Sequence, residues 1–354
     1  MLIRLAVVLA NILTKPYLQL SKNASGVEPL ISVLIPARNE ENNILNVLND
    51  LKNQTYKNIE IIVLDDNSED NTFGKVVYFF RENASNLKAK ILQGEKLPES
   101  WLGKNWACHQ LKNHANGEYL LFVDADVRLK PEAIESAYME IQKNALDLLS
   151  FFPDQLLKST GEKIVVPFMH YILLTLLPLR LILRSGNPAF AAANGQFMFF
   201  RKASYKNWHE RLKLTVTEDI SILKTMKSEG YRTETLLGNR LVLCRMYEGF
   251  EDAMKGFSKN LFAGFGNNIL LITFYFLITV FFPILILFTL PIEFTFILFL
   301  AGILLKMGVS YLAKYNLAEQ SIFHPVHICV WLWLGVKSVY KTYTRQNTWK
   351  GRNI

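Results

Sequence analysis

The run at residues 120–129, LLFVDADVRL, sets an apolar stretch directly against an acid pair, Asp124 and Asp126. This pattern predicts a buried strand whose tip presents two carboxylates at the edge of an α/β sheet, where sheets of this kind bind ligands. Residues two apart on an extended chain point the same way, so both carboxylates can face one cation or one polar ligand. An Asp-x-Asp triplet equally marks a solvated strand end or a helix cap, and the rest of the chain has to decide between them.

The flanking sequence repeats the design. Residues 30–36, LISVLIP, form a β-rich run stopped by proline, and Ala37-Arg38-Asn39-Glu40-Glu41-Asn42 opens a helix through Leu51. A second strand, IEIIVL at 59–64, runs into the acidic turn DDNSEDNT at 65–72, and further strands fall at 90–93 and 119–123. Strand, polar turn, helix, strand, acidic turn, helix is the beginning of a parallel doubly wound sheet. Downstream, AFAAANGQFMFFR at 189–201 reads as a strand-like run interrupted by Asn194-Gly195-Gln196. Thr217-Glu218-Asp219 then leads into an amphipathic helix at 220–228, and the soluble domain closes near Gly249.

Composition shows that the sheet is not the whole protein. The 354 residues are 50% hydrophobic with a mean hydropathy of +0.14, yet 20% are charged, so a soluble domain of ordinary composition is joined to membrane-embedded segments. The expected organisation is an N-terminal membrane anchor at 1–20, a catalytic domain at 28–250 with interfacial membrane helices at 164–184, and a C-terminal membrane region with a basic tail at 251–354. The opening MLIRLAVVLANIL is short for a full span and lacks a convincing cleavage pattern, so it reads as an anchor lying in or partly crossing the membrane. Residues 21–29 follow as a polar linker. The uncharged stretch at 268–290 is about 35 Å long as a helix, enough to cross a bilayer. Residues 294–312 are a second candidate that tolerates Lys306, and 324–340 a weaker third. These features predict a multi-pass cell-membrane protein with a cytoplasmic catalytic domain. Two spans and a re-entrant third segment keep the basic tail at 341–352 on the cytoplasmic side.

Several classes of function lack their residues. The net charge of +8 is carried largely by Lys and Arg flanking the apolar segments, with no nucleic-acid-binding signature beside it. Cys108, Cys244 and Cys329 are odd in number and far apart, which fits neither a disulfide framework nor a zinc site. There is no H-E-x-x-H, G-x-S-x-G, P-loop or G-x-G-x-x-G, so zinc-hydrolase, serine-hydrolase, NTPase and dinucleotide readings lack their residues.

In this order, Pro36-Ala37-Arg38-Asn39-Glu40, Asp65-Asp66-Asn67-Ser68-Glu69-Asp70, Asp124-Ala125-Asp126 and Thr217-Glu218-Asp219 resemble the family 2 inverting glycosyltransferases over about residues 30–249. The resemblance implies an α/β, A-type glycosyltransferase fold, a Rossmann-like nucleotide-sugar-binding domain. By it, Pro36, Arg38 and Glu40 with Asp65 and Asp66 cradle the base and ribose of a nucleotide sugar, although Asp, Asn and Ser at 65–72 also suit a plain capping turn. Asp126, with Asp124 beside it, supplies hard oxygen ligands for Mg²⁺ or Mn²⁺, whose charge offsets that of the departing diphosphate. Asp219 is the candidate general base, with Glu218 either the base in its place or an orienting neighbour; a helix-capping acid is the structural alternative for both.

Three further segments resemble the membrane-associated members that glycosylate carotenoids and related lipids. KLPESWLGKNWACH at 96–109 places Lys104 at a donor phosphate or sugar hydroxyl, or else is an aromatic surface loop. Asn194-Gly195-Gln196 implies an acceptor- or sugar-binding turn, with a plain β-turn as the competitor. The Trp349-Lys350-Gly351-Arg352 ending closes over donor phosphates or anchors at lipid headgroups. The Q-x-x-R-W of processive polysaccharide synthases is absent, which argues against a polymerase. The resemblance thus implies transfer of one sugar, from UDP-glucose, to a lipid such as a carotenoid or related isoprenoid. Transfer to a glycerolipid, ceramide-like lipid or polyprenyl phosphate is the alternative, and a non-catalytic membrane scaffold is the alternative of another class.

Overall fold

Strands β1 (Ile31–Ala37), β2 (Ile59–Asp65) and β4 (Tyr119–Val123) are runs of branched and aromatic residues buried along almost their whole length, as strands covered on both faces must be. They belong to a computed structural model that describes residues 1–21, 28–282, 285, 289, 291–344, 346, 348–349 and 352–353. The chain forms two units: Pro16–Asp154 with Leu179–Cys244, and Met1–Lys15 with Gln155–Pro178 and Arg245–Ile354.

The first unit is built on a seven-stranded sheet. In chain order its strands also include β3 (Lys88–Gln93), β6 (Leu148–Phe152), β8 (Phe197–Arg201) and β9 (Thr233–Leu237); the short β5 (Val127–Leu129), β7 (Asp154–Gln155) and β10 (Val242–Cys244) lie outside it. The spatial order is β3-β2-β1-β4-β8-β6-β9. Parallel pairing holds for β3, β2, β1 and β4. The chain leaves β1 toward β2 on one side and returns as β4 on the other, a switch point that opens a crevice at the carboxyl ends. Pro36 sits beyond the last β1–β4 pair, Leu34 with Phe122, while β2 still pairs with it, so its missing N–H falls where the strand has lost one neighbour.

The parallel beginning expected from the sequence holds for β1 to β4, but β8 runs antiparallel to both β4 and β6, so the sheet as a whole is mixed. The cause lies in the turn before it. Phe197 pairs with Val123 at the carboxyl end of β4, and the Asp124 N–H donates to the Gln196 carbonyl at 3.2 Å, so β8 starts where β4 ends. This direction carries Asn194-Gly195-Gln196 to the Asp-x-Asp tip. Only Phe197–Arg201 of the strand-like run is strand.

The second unit is helical. The Leu2–Thr14 helix is held by Asn11, whose side-chain amide donates to the carbonyls of Leu174 and Leu177 at 3.2 and 3.0 Å. The segment at 164–184 is broken into helices Thr160–Val165, Pro167–Leu176 and Arg180–Arg184, the last belonging to the sheet unit. Helix Ile292–Leu312 is the one single helix among the described residues long and apolar enough to cross a membrane. Its 21 residues span about 31 Å. The expected span at 268–290 begins as helix Ile269–Phe276 and continues into a π-helical turn, Leu277–Phe281, and this stretch joins Gly249–Gly264 at a bend of 115°. Residues 283–284, 286–288 and 290 of that expected span lie outside the described residues, as do 22–27 of the expected linker and Lys350 and Gly351 of the tail. His324–Tyr343 has the length of a span without the required apolarity.

Within this unit Glu162 is almost wholly buried and accepts hydrogen bonds from Arg245, Ser159 and the N–H groups of Lys158 and Gly249 at 2.7–3.0 Å. Burial opposes its charge, but these donors prevail and lower its carboxyl to about 2. A carboxyl held below its ordinary range in the folded chain stabilises the fold near neutral pH, and the contribution is lost as pH falls through that range toward 2. Glu162→Ala is expected to cost about 1–3 kcal/mol in denaturant unfolding near neutral pH, because it removes the buried acceptor of Arg245, Ser159 and the N–H groups of Lys158 and Gly249, while Arg245 keeps its ion pair with Glu248. The deficit should shrink below pH 4.

Candidate active site

Four loops converge at the carboxyl edge of the sheet. Those after β1 and β2 are tied to each other: the N–H groups of Asn39, Glu40 and Glu41 donate to Ser68, Thr72 and Asp70 at 2.8–3.1 Å. The Arg38 guanidinium donates to the carbonyls of Asp66 and Asn67 at 2.8 and 2.6 Å and to Glu69 at 3.0 Å, so it spans the junction. Asn39 and Asn67 take positive φ of 53° and 54°, which asparagine tolerates and which lets the two turns interlock. Asp65 accepts from the Ser68 N–H and Gln93 through Oδ2, while its buried Oδ1 has no hydrogen-bond partner among the described residues.

Lys104 is the centre of the other half. It sits in the first turn of helix Gly103–Asn113, and its Nζ lies 2.8 Å from Asp124, 3.3 Å from the Gly195 carbonyl and 3.9 Å from Glu218. Burial works against the ammonium, but Asp124 and Glu218 outweigh it and hold the group protonated well above the ordinary lysine range. Gly195 eases this approach, since a Cβ there would stand 3.1 Å from Nζ and press the ammonium back by a few tenths of an ångström. The helix start is fixed by Asn105, whose amide donates to the carbonyls of Leu212, Lys213 and Thr215 at 3.0–3.3 Å. Trp101, Trp106 and His109 cluster on the same segment with centroids 5.0–5.6 Å apart, Trp106 and His109 stacked and Trp101 tilted against both.

Helix Glu218–Ser228 brings the third acid group. Asp219 accepts from the Gly195 N–H through Oδ2 and from the Ile220 N–H through Oδ1, each at 2.8 Å, which fixes the carboxylate while leaving lone pairs open. Burial raises its pKa, partly countered by those N–H groups and Lys104. Burial also pushes Glu218 up to about 7, with Lys104 opposing and Asp219 adding to the rise.

Asp126 stands apart from this network. Its Oδ2 accepts from Gln196 Nε2 at 3.3 Å, the same amide donates to the Cys244 sulfur at 2.8 Å, and Oδ1 is buried without a hydrogen-bond partner among the described residues. Burial, then Asp124 and Glu40, raise its carboxyl to about 7. Among the described residues no three His, Cys, Asp or Glu side chains form a group able to hold an ion alone. An orphaned carboxylate oxygen still fits Mg²⁺ or Mn²⁺, because such ions commonly take one or two protein carboxylates and complete their shell from phosphate oxygens and water.

The structure therefore brings Lys104, Asp124, Gly195, Glu218 and Asp219 into one network, with Gln196 and Asp126 adjoining through the same turn. Asn194 is spent on the turn itself, its Oδ1 accepting from the Gln196 N–H and its backbone bonded to Ser150. Sequence reasoning missed Cys244 and Asn105. Cys244 carried no local signal, being far along the chain from Asp126; Asn105 lay inside the singled-out tryptophan segment, where a buried polar residue beside Lys104 was a usable cue.

A mixed sheet of this order, with carboxylates and a lysine gathered at the switch point, defines an A-type glycosyltransferase domain. Residues 32–208, half of the chain, match the family model "Glycosyl transferase family 2", and the protein belongs to that family. It is similar to 4,4'-diaponeurosporenoate glycosyltransferases, at 28% identity over 243 residues for that of Staphylococcus haemolyticus (strain JCSC1435) and 27% over 252 residues for that of Staphylococcus aureus (strain MRSA252). These matches cover 66% and 67% of this chain, and the chain spans about three fifths of each relative, 61% and 62%. Among solved structures, the mannosyltransferase PcManGT from Pyrobaculum calidifontis, in complex with GDP-Man and Mn²⁺, shares the fold with a TM-score of 0.55 over 97% of both chains at 16% identity.

Proposed function

We propose that the protein is an inverting, divalent-cation-dependent hexosyltransferase that moves a single sugar, glucose from UDP-glucose, to a hydroxyl or carboxyl of a membrane lipid of the carotenoid or isoprenoid class. The observation that carries the reading is the Lys104–Asp124–Gly195–Asp219 network beside an unpaired Asp126 oxygen. It holds a cation suited to a diphosphate and a carboxylate suited to a proton.

Asp65 and Asp66, with the turn locked by Arg38 and with Pro36 and Glu40 beside it, form the nucleoside side of the site. Asp65 Oδ1 offers a free acceptor to a base or ribose donor. Asp126, with Asp124, would hold a divalent cation, which would supply positive charge at the diphosphate. Lys104 is a fixed ammonium at the leaving group, and Asp124 orients it. Asp219 takes the acceptor's proton while the acceptor oxygen bonds to the anomeric carbon from the face opposite the breaking bond to phosphate. No covalent intermediate forms, so the anomeric configuration inverts. Gly195 and Gln196 line the acceptor side, and Glu218 screens Lys104 and orients Asp219.

Ile292–Leu312 is read as crossing the bilayer, with Leu2–Thr14 as an anchor and the other apolar helices at the interface. A lipid acceptor then reaches the site by lateral diffusion. The 4,4'-diaponeurosporenoate glycosyltransferase relatives favour such an acceptor. Lipid extracts from cells with and without the protein, compared by mass, are expected to differ by a species one hexose heavier; identical extracts would remove the lipid acceptor.

The raised carboxyls set a pH dependence. A base must be ionised to act, and burial holds Asp219 above the usual carboxylate range, so kcat/KM should fall with decreasing pH at a higher pH than for an exposed aspartate. Activity held constant down to pH 5 contradicts the assignment of this acid pair.

A further inference from the structure

Helix Ile292–Leu312 carries a single cation, Lys306, about 9 Å along the axis from its C-terminal end. A lysine so placed in a membrane helix can ordinarily stretch to the headgroups. Lys306 does not. Its side chain is fully buried, Nζ faces the rings of Trp331 at 4.5 Å and Tyr171 at 5.6 Å, and it has no hydrogen-bond acceptor among the described residues.

The walls of this site are polar where an apolar core would serve equally well for packing. His327 is stacked on Trp331 with centroids 4.9 Å apart, and its Nε2 lies 3.1 Å from the Lys163 carbonyl, so Nε2 donates and Nδ1 is a bare, buried acceptor. His324 lies over Gly302, one turn before Lys306 on the same helix; a Cβ on Gly302 would meet its Nε2 at 3.6 Å, and its Nδ1 is also buried without a partner. Both imidazoles are within electrostatic reach of Lys306. A buried ammonium without an anion is among the least favourable arrangements a protein can hold, and facing aromatic rings offset only part of that cost.

We propose that Lys306, enclosed by Trp331, Tyr171, His324 and His327, is a binding site for the anionic group, carboxylate or phosphate, of a membrane lipid. The lipid group supplies the acceptor that Lys306 lacks, and the bare imidazole nitrogens accept from a protonated oxygen or a water it carries. The site stands apart from glycosyl transfer, and its test needs no turnover.

The full chain in phosphatidylcholine nanodiscs is exposed to oleate or phosphatidic acid, to oleyl alcohol as the uncharged control, or to inorganic phosphate in the buffer. Retained lipid and the thermal unfolding midpoint are then measured. At least one anionic lipid should be retained over oleyl alcohol and raise the midpoint, and Lys306→Met should weaken that retention by about tenfold or more, as loss of a charge-assisted hydrogen bond does. Equal retention of anionic and neutral lipids, stabilisation by inorganic phosphate alone, or undiminished binding by Lys306→Met overturns the proposal. If Lys306→Met does not fold, the parent's preference between anionic and neutral lipid decides it.

Discussion

Asp219→Asn is expected to abolish sugar transfer while leaving nucleotide binding nearly intact. The two shapes are almost the same, and the asparagine carbonyl still accepts from one of the N–H groups of Gly195 and Ile220 that now hold the carboxylate at 2.8 Å. What disappears is the capacity to take a proton. General-base catalysis usually contributes about 10²–10⁴-fold, so kcat should fall by at least two orders of magnitude with a nucleotide dissociation constant within a few-fold of the parent. Residual transfer within about tenfold removes Asp219 from the role. Glu218→Gln, examined beside it, separates the two acids: a larger loss in Glu218→Gln than in Asp219→Asn assigns the base to Glu218.

Lys104→Ala is expected to lower kcat/KM by about a hundred- to a thousandfold, the scale seen when one preorganised donor to a developing anion is removed. The effect has two sources. The diphosphate loses its fixed cation, and Asp124 and Glu218 lose the ammonium that neutralises them at 2.8 and 3.9 Å. Donor affinity therefore falls along with turnover, which distinguishes this variant from Asp219→Asn. Lys104→Arg should recover little, since a planar fork does not fit where a compact charge meets Asp124 and the Gly195 carbonyl. Activity of Lys104→Ala within threefold of the parent contradicts the leaving-group role.

Much of the catalytic half was readable because its signals are local. An apolar run ending in Asp-x-Asp, a proline closing β1 and an acidic turn after β2 each declare a strand end without reference to distant residues, and strand ends are where this fold binds its ligands. Lys104 and Thr217-Glu218-Asp219 were found by family resemblance, and the fold brings them together through Gly195. What escaped was long-range. The antiparallel β8 depends on which edge the chain returns to after a long excursion, and residues 197–201 look the same in either direction. Arg38 gave no sign that its guanidinium is bound to the carbonyls of Asp66 and Asn67. The 115° bend between Gly249–Gly264 and Ile269–Phe276 also escaped, because hydropathy reports how apolar a stretch is and says nothing of its path. Lys306, an interruption to be tolerated in the sequence, is turned inward onto Trp331 by packing among three helices.

The most direct test of the account is transfer itself. The purified full chain, supplied with radiolabelled UDP-glucose, Mg²⁺ or Mn²⁺ and a membrane lipid extract containing carotenoids, is assayed for label that partitions into organic solvent. The account predicts extractable label in the parent, none after EDTA and none with Asp219→Asn. Absence of extractable label with UDP-glucose and with a panel of other sugar nucleotides contradicts it.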